Sequence, residues 1–347
     1  MDLTDPFNHF ATVVPQRAAT CPPLLNAVLA SSARHLSSIS DYDPVVANRY
    51  HQQCLKYLIP MLDDTAAILD ENLLASTVIL RFLEEIEVPV SGQTRPESQH
   101  HLLGTHAFLT AQERSSATGG LRQAAFFCGL RQEIYVAFVN QRSILPALEF
   151  FNIDRSLNPT DNHTWANRIV VHCADVLRYC FGNVAHTHAM YTQLLDYCDG
   201  WFSQKPSSFT PMYFREWDNE NVLPEIWMLS GEGATGLQYY YLTRILLAAH
   251  NPKIPRLGPG RVAALRAMDE EIKHHVRLLC GMAICNERVS PSFETASMAI
   301  AMAGEKFTER NEREALLNIL LRTEKEHAWP TGIAQKELKE AWGWVGG

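Results

Sequence analysis

A chain of 347 residues, 46% hydrophobic and 20% charged, is long enough to bury a substantial core, as one large domain or two closely packed ones. Its formal net charge of −8 argues against binding to phosphate backbones, and no apolar run is long enough to span a bilayer. The nearest approach to a basic patch, KHHVR at 273–277, follows DEE at 269–271 and reads as solvated helix surface.

The first residues, MDLTDPFNHFATVVPQRAAT, have neither the basic start nor the apolar core of a secretory signal. Residues 1–21 therefore read as an N-terminal extension, and the protein as intracellular. Helical periodicity then runs through nearly the whole chain without giving way to clean alternation. The expected fold is all-α, a multi-helix array of antiparallel helix pairs forming one large compact domain over 22–347. Residues 23–36 place Leu25, Val28, Leu29 and Leu36 at helical spacing. Asp43-Pro44 give the next helix, about 43–62, a capping residue followed by proline in the first turn. A third helix over 70–87 carries Leu73, Leu74, Val78, Leu80 and Leu83 on a broad apolar face. Pro89, Gly92 and Pro96 break the chain before helical pattern resumes at 100–113, and Gly119-Gly120 precede another helix at 121–141. The polar stretch 152–164, with Asn158-Pro159, reads as the longest connection of the first half and a candidate hinge. Helices at 165–182 and about 186–202 lead into an irregular segment, 205–235, of the kind that carries sites on a rigid scaffold. Helix 236–250 and four further helices to about 342 complete the chain.

Motifs for chemistry are sparse. The eight cysteines form no Cys-x-x-Cys pair and read as free, mostly buried thiols. His186 and His188 are two apart, and His100-His101 and His274-His275 are adjacent, so none has helical ligand spacing; no bound metal is expected. There is no Gly-x-Ser-x-Gly, phosphate loop or dinucleotide fingerprint, and SGEGATG at 230–236 reads as a plain helix-entry loop. Glu84 and Glu85 follow Arg81, which favours an ordinary Arg81–Glu85 ion pair. Asp196 neighbours Tyr197, lies near Trp201 and runs into the irregular segment, which makes it a candidate pocket acid.

Aromatic residues are the one unusual concentration: Tyr197, Trp201, Tyr213, Trp217 and Trp227 precede the run Tyr239, Tyr240, Tyr241. Rings with a polar tip suit a pocket for an apolar ligand and suit a large core equally well. LQYYYLTRILLAAHNP, 237–252, is apolar nearly all round and reads as an internal helix.

Taken in order, LLNAVLASSARHL, YHQQCLKYLIPML, DENLLASTVILRFLEEIE, HHLLGT, LRQEIYVAFVNQ, WFSQKPSSFTP, LPEIWML, LQYYYLTRILLAAHNP, CGMAICNE and HAWPT...L...WGW resemble the helical regulatory region of fungal-specific transcription factors, from about residue 22 to 344. The resemblance implies an all-helical fold and a fungal origin. It also sharpens the departures. The family's Zn2Cys6 DNA-binding cluster needs Cys-x-x-Cys units with basic residues between them, and this sequence has neither, so direct nucleic-acid contact is not expected. Where the family usually has His then Leu-Ala after its paired aromatics, this chain has Tyr241, Leu242 and Thr243.

Three readings compete: a regulatory or effector-sensing module acting through partners, an enzyme recruited to fungal secondary metabolism, and a truncated product without activity. Intramolecular cyclisation or isomerisation needs substrate folding, water exclusion and one or two hydrogen bonds, and leaves no motif. This reading ranks first from sequence, as a cofactor-free pericyclic step of Diels-Alder type on an apolar small molecule. It assigns Tyr241, Asp196 and Tyr213 to catalysis and Tyr197, Trp201, Trp217, Trp227, Tyr239, Tyr240 and Thr243 to substrate binding. No cofactor and no membrane contact are expected, and self-association into a homo-oligomer stays open. The protein would be cytoplasmic as an enzyme and nuclear as a regulator.

Overall fold

The computed structural model describes residues 1–61, 70–87, 119–144, 153–183, 186–218, 221–289 and 291–344. These form twelve α-helices and one two-stranded antiparallel hairpin. The fold is all-α, as the periodicity implies. The helix expected within 100–113 lies outside the described residues.

The chain divides into two compact units, Met1–Glu133 with Leu145–Asn152, and Ile134–Ile144 with Ile153–Gly347. In the first unit, α1 (His9–Ala18), α2 (Pro22–Ile39), α3 (Pro44–Leu58) and α4 (Glu71–Glu87) pack together, and α5 (Gly120–Val139) contributes its residues to Glu133. Helix α1 lies within the segment read as an extension. Asp2 fixes its first turn by accepting from the amides of Phe10 and Ala11, and Arg131 holds the chain start by donating to the Met1 carbonyl and the Thr4 hydroxyl. Helix α3 begins as expected, with the Asp43 carboxylate accepting from Val45 N at 2.9 Å and proline in the first turn.

The apolar face expected for α4 is found: Leu73, Leu74, Val78, Leu80 and Leu83 are all buried. That expected for α2 is corrected. Leu25 and Leu36 are exposed, and Leu24, Ala27, Ala30 and Ala33 line the buried side instead. Alanines at this spacing let α3 and α4 approach the α2 backbone closely, where leucines would hold them off. The Arg81–Glu85 pair forms at 3.5 Å, joined by a buried Arg81–Glu133 bond of 2.8 Å.

The second unit is built around α8 (Gly231–Ala249), which packs on α6 (Asn162–Phe181), α7 (His188–Ser203), α9 (Arg261–Cys285) and α10 (Pro291–Ala303). Helices α11 (Arg310–His327) and α12 (Gly332–Ala341) complete the expected four after α8. Helix α8 is internal, buried on every side from Gly233 to Thr243. It starts earlier than the sequence suggests, because Ser230 caps it by accepting from Gly233 N at 3.1 Å and draws the glycines of SGEGATG into its first turns. Gly236 is there for contact: a Cβ would stand 2.6 Å from Phe209 Cε1 and 3.3 Å from Trp201 Cζ2.

The irregular segment holds the hairpin, β1 (Tyr213–Arg215) and β2 (Glu225–Trp227), in the register Tyr213↔Trp227, Phe214↔Ile226, Arg215↔Glu225. Its inner strand is fastened to the end of α9. Asn286 Nδ2 donates to Ile226 O at 2.8 Å, Met228 N donates to Asn286 Oδ1 at 2.9 Å, and Pro224 lies directly over Gly281. All eight cysteines are free thiols, six of them buried, and burial raises the pKa of each.

Candidate functional site

Three successive residues on a helix point in three directions, so the tyrosine run reaches different neighbours. Tyr240 lies against Phe202 with ring centroids 4.6 Å apart and planes at 19°, and 5.9 Å from Trp201. Trp201 in turn stacks on Trp165 at 6.1 Å, meets the edge of Phe209 at 5.8 Å and donates from Nε1 to Trp165 O at 2.9 Å. This is a buried aromatic cluster in which each well-oriented pair contributes about 0.5–1.5 kcal/mol beyond its burial. Tyr241 meets the Tyr240 ring edge-on at 5.4 Å and lies nearly parallel to His275 of α9 at 5.7 Å; His275 meets His274, and His274 meets Trp217. Burial pushes the Tyr241 phenol up to about 12 and raises Tyr240 as well.

Charges close the outer side of this stack. Arg244, one turn after Tyr240, donates to Asp199 of α7 at 2.6 Å and to Glu271 of α9 at 2.8 Å, tying three helices through one guanidinium. The His275 imidazole, 3.9 Å away, and the Arg244 guanidinium together hold the Glu271 carboxyl at about 2, and burial lowers the pKa of His275. Nδ1 of His275 is buried and has no hydrogen-bond partner among the described residues. KHHVR is thus amphipathic and not simply solvated surface: His275 and Val276 point inward while His274 is exposed.

The structure brings together Trp201, Tyr240 and Tyr241, continuing through the histidines to Trp217. Tyr239 is buried, and Thr243, fully buried, directs its hydroxyl to Tyr239 O at 2.7 Å, back into its own helix. Tyr197 packs on His172 at 4.4 Å. The stack is assembled without Asp196, which is exposed, and without Tyr213 and Trp227, which pair with each other on the hairpin and are each 48% exposed. Sequence reasoning missed Arg244, Glu271 and His275. The usable signal was Arg244 itself, the single basic residue on a largely apolar helix. Among the described residues, no group of three or more His, Cys, Asp or Glu side chains is placed to hold a metal ion, and no helix is long and apolar enough to cross a membrane.

With this geometry in place, comparison with known proteins locates the family signal. Residues 2–130 match the fungal specific transcription factor domain. Within residues 2–130 the match bears out the family resemblance read from the motifs, and it supports the regulatory alternative over the cyclase reading. It runs from α1 into α5 and so falls within the first unit, whereas the tyrosine stack lies in the second. No curated protein and no solved structure matches the chain.

Proposed function

We propose that the protein is a transcriptional regulatory module of the fungal-specific transcription factor type, working in the nucleus through protein partners. The observation that carries this reading is the match of residues 2–130 to the fungal specific transcription factor domain. The second unit supports it indirectly. Many of its aromatics are engaged by neighbouring rings, and the charges at the outer edge of the stack by one another, which suits a rigid scaffold for presenting surfaces. The carrying of a reaction by Tyr241, Asp196 and Tyr213 draws no such support, because Asp196 is exposed and Tyr213 half exposed while Tyr241 is buried.

Tethering tests the proposal. The chain fused to a heterologous DNA-binding domain, in a fungal host with a matched reporter, is expected to change reporter transcription severalfold in either direction. A reporter level equal to that of the DNA-binding domain alone, with the fusion present at normal abundance, contradicts it.

A further inference from the structure

The hairpin leaves several large apolar side chains exposed. Tyr213, Phe214 and Trp227 are each 48% exposed, and Met212 and Leu229, at the open end of the hairpin, are 64% and 68% exposed. Tyr213 and Trp227 are register partners and therefore share one face. Exposed loops that carry such residues are normally mobile, but this one is nailed down: Ile226 is buried, Asn286 satisfies both Ile226 O and Met228 N, and Pro224 sits on Gly281. A rigid, exposed cluster of tryptophan, tyrosine and methionine is the composition of an interface hot spot.

The charges around it choose the occupant. Glu216, Asp218 and Glu225 flank the cluster against a single arginine on the hairpin, Arg215, which is itself paired with Glu225 at 2.9 Å. Arg277, which lies against the Trp217 ring, is paired with Glu312 at 2.7 Å. A second copy of this chain would bring the same acidic rim against itself, in a molecule of net charge −8. We infer that the hairpin face, centred on Tyr213 and Trp227 with Met212 and Leu229, docks an amphipathic helical segment of a partner protein whose apolar face is flanked by lysine or arginine. It rests on the partner-mediated reading for its biological meaning, but the binding is a property of the surface.

A fluorescently labelled synthetic helix of alternating leucine and lysine faces serves as probe, with a leucine–glutamate helix of the same pattern as its counterpart. Anisotropy titration of the full chain is expected to show saturable binding of the basic helix, weaker at higher salt, and none of the acidic one. Trp227→Ala is expected to weaken binding about tenfold or more. Leu229→Ser and Met212→Ser, which change exposed positions and no charge, are expected to weaken it severalfold while leaving circular dichroism and melting unchanged. Equal binding by wild type and the Leu229→Ser and Met212→Ser chains overturns the inference, as does equal binding of both helices. Concentration-dependent self-association abolished by Leu229→Ser also overturns it, in favour of a second copy. A chain that binds the basic helix through the hairpin but leaves a tethered reporter unchanged sinks only the regulatory reading. A tethered chain whose activity survives while no basic helix binds sinks only this inference.

Discussion

At Gly236 the usual ranking of residues in a helix reverses. Alanine ordinarily gains up to about 1 kcal/mol over glycine in a helix interior, but here its methyl would meet Phe209 at 2.6 Å. Gly236→Ala is expected to destabilise the protein by about 1–3 kcal/mol. Gly231→Ala, with open space around the new methyl, should stay within about 0.5 kcal/mol of wild type, measured by urea unfolding. His172 makes a second prediction at this scale. It donates from Nε2 to Leu194 O at 3.0 Å, and burial lowers its pKa from 6.5 to about 3. Below pH 6.5 the unfolded chain takes up a proton that the folded chain refuses, so stability is full above 6.5 and falls as pH drops toward 3. His250, His274, His275 and His327 are shifted the same way and share this slope. His172→Gln keeps a donor for Leu194 O and is expected to flatten the fall in urea midpoint between pH 7 and 5. An unchanged slope would remove His172 from the account.

Among the elements, the hairpin owes two of its anchoring hydrogen bonds to one side chain. Asn286 is the partner of both Ile226 O and Met228 N, and Asn286→Ala leaves two backbone groups without it, a loss of about 2 kcal/mol. Hydrogen exchange at the Met228 amide is expected to quicken by tenfold or more, while amides of α8 keep their protection. Uniform quickening in both would mean that the hairpin does not open separately. How far these elements could be read in advance follows from how each carries its signal. Asp43-Pro44 announces α3 because capping is local chemistry. Leu73 to Leu83 announce the buried side of α4 because large side chains mark it. Ala27, Ala30 and Ala33 hide the buried side of α2, since their role is to let neighbouring helices close in. Helix α1 is masked by Pro15 inside it, and strands of three residues are too short for alternation to show.

For the whole molecule, the tyrosine run illustrates the boundary between what composition implies and what packing decides. An all-round apolar helix had to be internal, and α8 is. Which rings its tyrosines meet depends on Phe202, Trp201 and His275 arriving from α7 and α9, which spacing along one helix cannot contain. The same limit explains why Tyr213, Trp227 and Asp196, neighbours of the stack in sequence, stand on the surface. The family signal lies elsewhere again, in residues 2–130, and it is this signal that makes regulation the central claim. Transcript profiling of a strain deleted for the coding sequence, beside one complemented with the intact chain, tests that claim most directly. The account predicts a defined set of transcripts that changes on deletion and returns on complementation. Unaltered transcripts together with the loss of a single metabolite would contradict it.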